Sequence, residues 1–253
     1  MMFKKVFAAA ASALAIAAFA GNAMARDTLR VGTEPTFAPF EFLDTKTQEF
    51  SGFDIDLIKA VADKAGYDIK VMNMGFDALI PALSAGTIDV IASGISITEE
   101  RQKKVDFPSP YYQSGLSYLV RKADAEKIKT FADLKGKTLA VQIGTTAAAK
   151  AKDIKDAKVQ TFNNAGDAIL ELANGGCEAV INDKPVTDYI LTQQPRLAKK
   201  VVHLPDMLSA DDFAMVVAKD RPELAAELNA ALKALKENGE FDKLMMKWFG
   251  KAK

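Results

Sequence analysis

The stretch SGISITEER, residues 93 to 101, places an arginine where a helix would not favour it. Thr98 is a good N-cap residue, and the two glutamates after it suit the positive end of a helix dipole. Arg101 then falls at about the third helical position, where a cation is disfavoured, so its presence indicates another role. A nearby glycine and several hydroxyls are typical of a site for a small polar or anionic group. The candidates are Ser93, Gly94, Ser96, Thr98 and Arg101.

Two other strand ends carry polar groups, and in open α/β sheets ligands bind beyond the carboxyl ends of the strands. In GTEPTFAPFEF, Glu34 follows an apolar strand pattern and Phe37 lies in the loop behind it. Core packing accounts for the later Phe40 and Phe42, so Phe37 is the aromatic residue left for ligand contact.

The other strand end is QIGTTAAAK, in which Gly144, Thr145 and Thr146 open a helix. Such a helix start can direct backbone N–H groups at an anion, although an ordinary helix cap accounts for the same residues. This stretch therefore becomes a candidate only in combination with others.

A fourth strand end, AVINDKP, places Asp183 after an apolar run and before a helix that begins with proline. Helix capping would be sufficient to explain this aspartate. An anion site at Arg101 and Thr146 together with a carboxylate at Asp183 is nevertheless complementary to a zwitterion. Each end of such a ligand gains charge-assisted hydrogen bonds of about 1.5–3 kcal/mol. The pattern favours an α-amino acid as ligand.

Enzymatic chemistry has little support in the sequence. His203 is the single histidine, and in the strand-like KKVVHLP it is typical of a hydrogen-bonded structural residue. Cys177 is the single cysteine, which excludes an intrachain disulfide and is typical of a small core residue. The sequence shows no metal-ligand spacing, nucleophile elbow or phosphate loop. We therefore expect a protein that is not an enzyme, with no cofactor and no metal.

The elements that must position these residues follow a βα rhythm that occurs twice. Strand-like runs at 29–33 and 68–73 alternate with helical patterns at 54–66 and 76–86, and strand-like runs at 137–142, 158–162 and 178–182 precede further helices. This alternation predicts an α/β fold with parallel sheets covered by helices. Leu224, Leu228, Leu232 and Leu235 share one face of a predicted C-terminal helix.

The first 25 residues have the basic start, apolar run and AMA cleavage pattern of a secretory signal peptide. The apolar run of about 15 residues is too short to span a bilayer. We therefore expect export to the periplasm. The remaining chain has 31 basic and 33 acidic residues, which argues against a nucleic-acid or membrane-coating surface. A small molecule or a protein is the expected partner.

The same residues carry a resemblance to a known family. The motifs APFEF, GFDIDLIKAVA, FDALIPALSAGTIDV, SGISITEERQKKVDFPSPYY, LKGKTLAVQIGTT and ENGEFDKLMMKWFG occur in this order. Their order and spacing resemble periplasmic amino-acid-binding proteins of ABC importers, the bacterial extracellular solute-binding proteins of family 3. The resemblance covers nearly all of the chain after the predicted signal peptide.

The resemblance implies the two-lobed periplasmic binding protein fold of type II with two hinge crossovers. Lobe 1 would comprise residues 26–112 and 213–253, and lobe 2 would comprise residues 113–212. The chain would cross near Tyr112 to Gly115 and return near Asp211 to Phe213. A single polar L-amino acid would bind between the lobes, and the protein would be a monomer that delivers it to a membrane permease.

Site roles follow from the resemblance position by position. Arg101 would bind the ligand α-carboxylate, helped by the backbone of Ser96 and of Thr145 or Thr146. Asp183 would bind the α-ammonium, together with the Gly94 carbonyl and the Ser96 hydroxyl. Phe37 and Phe76 would enclose the ligand side chain, and Glu34 and Gln142 would face its far end.

The substrate remains open between a basic amino acid and glutamine. Glutamine-specific relatives often have Asp, Lys and His where this chain has Glu34, Gln142 and Asn182. Glu34 with Gln142 is instead similar to arginine- and lysine-binding members, which places a basic amino acid slightly ahead. Two other functions remain open on the same scaffold: a periplasmic cyclohexadienyl dehydratase, acting on prephenate or arogenate, and a ligand-sensing module for a receptor.

Overall fold

A computed structural model describes residues 26–204 and 206–250. The predicted signal peptide lies outside these residues. The strands are β1 (Thr28–Thr33), β2 (Thr36–Phe37), β3 (Glu41–Leu43), β4 (Phe50–Ser51), β5 (Asp68–Asn73), β6 (Val90–Ile91), β7 (Val105–Asp106), β8 (Tyr112–Ser114), β9 (Leu116–Arg121), β10 (Thr138–Gln142), β11 (Lys158–Phe162), β12 (Ala179–Asp183), β13 (Val201–His203), β14 (Asp211–Phe213) and β15 (Val216–Ala218). The α-helices are α1 (Phe53–Ala65), α2 (Leu79–Ser84), α3 (Glu99–Gln102), α4 (Thr146–Lys152), α5 (Ala165–Asn174), α6 (Lys184–Gln193), α7 (Pro195–Ala198), α8 (Pro222–Glu237) and α9 (Glu240–Phe249).

Two five-stranded sheets form the centres of two lobes. The first has the order β5-β1-β6-β15-β7, and the second has the order β11-β10-β12-β9-β13. In each sheet, the three strands from βα units are parallel to one another. The other two strands, β15 and β7 in the first sheet and β9 and β13 in the second, are joined to their neighbours by antiparallel pairing.

The expectation of parallel sheets is therefore correct for these three strands and wrong for the other two strands of each sheet. The reason lies in how the chain passes between the lobes. Strand β9 follows the first crossover and β15 follows the second, and each pairs antiparallel with the last parallel strand of its sheet. Neither strand belongs to a βα unit, so the helix-crossover rule that keeps strands parallel does not apply to them.

A separate two-stranded sheet connects the lobes. Strand β8 pairs antiparallel with β14, and its register joins Tyr112 to Phe213 and Ser114 to Asp211. These are the two hinge crossovers that the sequence predicted, and they give the two-lobed α/β fold. A single bridge between Ser96 and Phe213 ties the SGISITEER stretch to this hinge sheet.

The core follows the predicted periodicity. In α1, Leu57, Ile58 and Val61 are buried, and the helix ends at Gly66 in a left-handed conformation with φ 91°, which glycine adopts without steric cost. The leucine face of α8 is also buried, as predicted, at Leu224, Leu228, Leu232 and Leu235. Cys177 is buried as well.

An aromatic cluster fills the space between α1, α9 and the hinge sheet. The centre of the Phe40 ring lies 4.9 Å from the ring centre of Tyr112, 5.2 Å from that of Phe213 and 5.3 Å from that of Phe249. The first two contacts are edge-on and the third is tilted, and such aromatic contacts add to the energy of area burial. They fix the loop after β1, which carries Glu34 and Phe37.

Within residues 26–204 and 206–250, no helix is long and apolar enough to cross a membrane.

Candidate functional site

A small cavity lies between the two lobes where strand ends from both sheets meet. Its volume is about 10 Å³, because side chains from the two lobes contact each other directly across it. An amino acid can enter only when the lobes separate at the hinge. The residues that line the cavity are Phe37, Phe76, Gly94, Ser96, Arg101, Gln142, Thr145, Thr146 and Asp183. All nine were predicted from the sequence.

Arg101 lies in α3, the short helix whose N-cap is Thr98, as predicted. Its backbone N–H donates to Thr98 Oγ1 at 3.2 Å. Its guanidinium Nη1 donates to the Ser96 carbonyl at 2.8 Å, and Nη2 donates across the cleft to the Gly144 carbonyl at 3.1 Å. The guanidinium carbon is 5.5 Å from the centre of the Phe76 ring. These contacts orient a planar group of five donors, which suits bidentate binding of a carboxylate.

Asp183 ends β12 and is 5% exposed. The sequence allowed a capping role, but the Asp183 side chain makes no capping hydrogen bond to α6. Instead, Oδ1 accepts a hydrogen bond of 2.7 Å from the Ser114 hydroxyl of the hinge strand β8. Capping therefore does not explain this aspartate, and its carboxylate lies in the cavity wall.

Glu34 and Gln142 meet from opposite lobes. Gln142 Nε2 donates to Glu34 Oε2 at 3.1 Å and to the Asn163 carbonyl at 3.1 Å. The Thr36 hydroxyl lies 2.7 Å from Glu34 Oε1 and 2.9 Å from Oε2. Glu34 is 6% exposed and Gln142 is 3% exposed, so both polar groups are shielded from bulk water.

Two aromatic rings from lobe 1 border the cavity. Phe37 in β2 is buried, and its ring packs against the Gly94 backbone. A Cβ atom added at Gly94 would lie 3.0 Å from the Phe37 ring. Phe76 begins a short 3-10 helix over Phe76–Ala78 and is partly exposed. The rings give the cavity apolar walls beside its charged groups.

Thr145 and Thr146 come from lobe 2 at the start of α4. Thr145 Oγ1 donates to the Gln142 carbonyl at 2.7 Å and accepts from the Ala148 N–H at 3.1 Å. The ordinary cap interpretation is therefore correct for the Thr145 side chain. The same residue also lines the cavity, so the cap and the site share one loop.

Ser93 and Glu34 do not appear among the residues that line the cavity. The Ser93 hydroxyl is fully buried, donates to Glu41 Oε1 at 2.9 Å and accepts from the Glu34 N–H at 2.9 Å. Its hydrogen is committed to Glu41, so the geometry gives Ser93 a part in positioning Glu34. Glu34 itself reaches the cavity through its contact with Gln142.

Sequence reasoning missed a buried acidic layer behind the site. Asp54 Oδ2 accepts from the Gly94 N–H at 2.7 Å and from the Tyr111 hydroxyl at 2.5 Å. Asp54 lies in the first turn of α1, where an acidic residue suits the helix dipole, but it shares a helical face with the apolar Ile58 and Val61, which indicates burial. Ser114 and Asp211 were also missed as neighbours of Asp183. Only the pairing of the hinge strands brings them close.

Burial and neighbouring charges shift the titration of the two opposing groups. Burial lowers the pKa of Arg101 to about 10, although Asp183 and Asp211 oppose this change. Burial, with a smaller contribution from Asp211, raises the pKa of Asp183 to about 7 against the opposing effects of Ser114 and Arg101. Burial also raises the pKa of Glu34, against hydrogen bonds from Thr36 and Gln142. A ligand that carries charges opposite to these groups would compensate for their desolvation.

His203 has a structural environment. Its Nδ1 lies 2.7 Å from Asp188 Oδ1 and its Nε2 lies 2.5 Å from Ser117 Oγ. This order of groups is that of a Ser-His-Asp triad, but Ser117 is 0% exposed and none of the three lines the cavity. A nucleophile must reach its substrate, so the arrangement serves to join β9, β13 and α6. In the described part of the chain, no cluster of three His, Cys, Asp or Glu side chains suits a metal ion.

Gly144 is expected to be essential for lobe closure. Its φ is 76°, and a Cβ atom would lie 2.9 Å from Asp77 Cβ and 3.0 Å from Asp77 Cα in the opposite lobe. Gly144→Ala should weaken binding of all ligands by a similar factor of about fivefold or more, since a clash of this kind costs at least about 1 kcal/mol. Titration calorimetry measures the affinities, and small-angle scattering with ligand should show a larger radius of gyration than wild type. Wild-type affinity and compaction would contradict this role; Gly136→Ala, with φ 72° and open space around it, controls for backbone strain.

Comparison with known proteins agrees with this geometry. A family model described as bacterial extracellular solute-binding proteins, family 3, matches residues 29–251. A probable histidine-binding protein of Campylobacter jejuni is 36% identical, over 87% of this chain and 84% of the relative. The ABC transporter arginine-binding protein 1 of Escherichia coli is 33% identical, over 92% of this chain and 96% of the relative.

Solved structures show the same similarity in three dimensions. An ancestral arginine-binding protein bound to arginine is 42% identical and superposes with a TM-score of 0.83, covering 89% of this chain and 99% of the other. An ancestral arginine-binding protein bound to glutamine is 41% identical, with a TM-score of 0.82 over the same shares.

Proposed function

The chain belongs to the bacterial extracellular solute-binding proteins of family 3, and on that basis we propose that it captures a polar L-amino acid in the periplasm and delivers it to the membrane permease of an ABC transporter. The relatives named above are binding proteins, and the Escherichia coli relative belongs to an ABC transporter. The protein acts without covalent chemistry, as a monomer.

One observation carries the proposal: the cavity brings together a guanidinium from one lobe and a carboxylate from the other. Arg101 and Asp183 each affect the titration of the other, so their charges interact across the cavity. An α-amino acid has a carboxylate for the first group and an ammonium for the second. Binding both ends connects the two lobes, so the ligand stabilises the closed arrangement over the open one.

The acidic surplus around the cavity favours a basic amino acid over glutamine. The carboxylates of Asp183 and Asp211 act on the guanidinium of Arg101, and a further carboxylate, that of Glu34, meets Gln142 at the other end of the cleft. A ligand with a net positive charge balances this surplus better than a neutral one. The arginine- and histidine-binding relatives agree with this preference. The ancestral arginine-binding protein bound to glutamine leaves glutamine as the alternative ligand.

Closure around the ligand provides the signal that the permease reads. The two sheets support the predicted division, with lobe 1 formed by residues 26–112 and 213–253 and lobe 2 by residues 113–212. A closed protein presents both lobes together, and an open one does not. A dissociation constant in the micromolar range corresponds to about 8 kcal/mol, which a few charge-assisted bonds and two aromatic contacts supply after the costs of association.

Affinity is expected to rise with pH through neutrality. The ammonium of the ligand binds the ionised form of Asp183, whose pKa is raised to about 7 by burial, so binding releases a proton below that pH. If only the ionised form binds, the dissociation constant at pH 6 should be about ten times that at pH 8. Titration calorimetry in two buffers of different ionisation enthalpy measures both the affinity and the proton release. The same affinity at pH 6 and pH 8, with no proton release, would contradict the role of Asp183.

A thermal-shift screen with the twenty L-amino acids tests the function directly. A ligand that binds only the native state raises stability by RT ln(1 + [L]/Kd), so arginine or lysine should give the largest shift. If no amino acid raises the melting temperature, the proposed function is wrong. Product formation from prephenate or arogenate would show a dehydratase instead, and copurification with a receptor rather than a permease would show a sensor.

A further inference from the structure

We propose that Asp54 and Tyr111 are positioning residues for the α-ammonium of the ligand, and that they act through the backbone of Gly94. The inference rests on the proposed function, since it concerns one end of the captured amino acid. Of the described residues, those that line the cavity include Gly94 but neither Asp54 nor Tyr111. The two side chains therefore affect binding through Gly94 and not by contact with the ligand.

Gly94 is a position where the backbone needs an outside restraint. Its φ is 48°, in the left-handed region, and a Cβ atom there would lie 3.0 Å from the Phe37 ring. Glycine adopts this conformation readily, but it adopts many others as well. A carbonyl that is to meet an ammonium at hydrogen-bond distance must therefore be held by neighbouring residues.

The carboxylate of Asp54 provides this restraint. Asp54 Oδ2 accepts from the Gly94 N–H at 2.7 Å, and the aspartate is 1% exposed. An acidic residue in the first turn of a helix usually faces the free N–H groups of its own helix. The hydrogen bonds of Asp54 go instead to residues 40 and 57 positions further along the chain. A charge-assisted bond of this kind is roughly twice as strong as a neutral one.

Tyr111 fixes the other side of the carboxylate. Its hydroxyl donates to the same Asp54 Oδ2 at 2.5 Å, and its backbone N–H donates to the Phe213 carbonyl of the hinge strand β14 at 2.9 Å. Phe213 is bridged in turn to Ser96, which follows Gly94 closely in the chain. The contacts thus form a closed ring that begins and ends at Asp54. Gly94 cannot shift within this ring unless a buried hydrogen bond breaks or the hinge strand moves with it.

The ionised form of Asp54 makes the fold less stable. Burial raises its pKa to about 6, against the hydrogen bonds from Gly94 and Tyr111. Because the pKa is raised, the carboxyl favours the folded state at low pH, and this contribution is lost as pH rises through 6. Local features that disfavour the fold are expected mainly at functional sites. The position of this acid therefore indicates a role in binding.

The test compares arginine with its deaminated analogue, a guanidino acid that keeps the carboxylate and lacks the α-amino group. Asp54→Leu has a similar shape and removes the acceptor. In the free variant, Gly94 can relax until its N–H meets water, so binding an ammonium requires the return of an unpaired N–H group. Titration calorimetry should therefore show arginine weakened about fivefold or more, while the affinity for the deaminated analogue changes less than about twofold.

Two further variants separate the acceptor from the charge. Asp54→Asn keeps an oxygen for the Gly94 N–H and removes the buried charge. It should bind arginine within about threefold of wild type and have a melting temperature at pH 8 at least as high, since a neutral side chain avoids the cost of a buried charge. Tyr111→Phe keeps the ring and removes the hydroxyl, and it should weaken arginine about threefold with the analogue unchanged.

Asp56→Leu is the matched control. Asp56 lies in the first turn of the same helix, but its carboxylate accepts from Lys247 and Trp248 of α9. The variant should keep the wild-type ratio of the two affinities even where it lowers the melting temperature, because these hydrogen bonds lead to α9 and not to Gly94.

The ratio of the two affinities decides the outcome. An equal loss for both ligands in Asp54→Leu, wild-type affinity for arginine in that variant, or an equally large loss in Asp54→Asn would overturn the inference and leave amino-acid capture intact. If Asp54→Leu does not fold, Tyr111→Phe decides: a selective loss for arginine supports the inference, and an unchanged ratio overturns it. Failure of the wild-type protein to bind any amino acid would instead overturn the proposed function.

Discussion

Arg101→Ala is expected to weaken binding of every amino acid by about 30-fold to 5,000-fold. The variant removes a bidentate partner of the ligand carboxylate, and breaking a buried hydrogen-bonded charge pair costs about 2–5 kcal/mol. It also removes the contact from Nη2 to the Gly144 carbonyl that spans the cleft. Titration calorimetry with arginine, lysine, histidine and glutamine measures the loss.

The matched control is Lys103→Ala, which removes an exposed cation at the C-terminal end of the same short helix. It should bind as wild type does. Agmatine, which is arginine without its carboxylate, provides the complementary test, since it should bind wild type and Arg101→Ala with similarly low affinity. If Arg101→Ala retained wild-type affinity for any amino acid, Arg101 would not be the carboxylate partner.

Asp183→Asn is expected to weaken amino-acid binding by about a hundredfold while leaving the ligand-free protein as stable or more stable at pH 8. Binding weakens because the ammonium loses its charged partner. The raised pKa of Asp183, about 7, means that its ionised form is disfavoured in the fold, so this carboxyl contributes stability at low pH that is lost as pH rises through 7. Asparagine removes that cost and can still accept from Ser114. Calorimetric titration and thermal melting give the two quantities.

Two comparisons make this result specific. Asp153→Asn, an exposed substitution in the same lobe, should change neither quantity. A guanidino acid that lacks the α-amino group should bind wild type and Asp183→Asn equally, because it has no ammonium to lose. A large loss for that ligand as well would show that Asp183 supports the fold of the cleft and does not bind the ammonium.

Much of the site could be predicted because it depends on local patterns. Arg101 stood out as a cation at a helix start, and Glu34, Thr145 and Asp183 stood out as polar residues at strand ends. In an α/β fold, strand ends converge on one edge, so their position in the sequence also gave their position in space. The leucine face of α8 was predicted from helical periodicity, whereas the two hinge crossovers were implied by the family resemblance.

What could not be predicted depends on pairings between distant segments. Nothing local in the sequence places Ser114 against Asp183, because that contact exists only when β8 passes beside the end of β12. The antiparallel strands were missed because β15 and β9 follow crossovers and not helices. Ser93 was named for its hydroxyl, yet its partner Glu41 lies 52 residues away. Only Asp54 had an overlooked local signal, its place on the buried face of α1.

The most direct test of the account is a crystal structure of the protein with arginine. We expect the α-carboxylate within hydrogen-bond distance of the Arg101 guanidinium, the α-ammonium within that distance of Asp183, and the side-chain guanidinium toward Glu34 and Gln142 Oε1. A ligand in the reverse orientation, with its guanidinium at Asp183 and its carboxylate away from Arg101, would contradict the assignment of the two opposing charges.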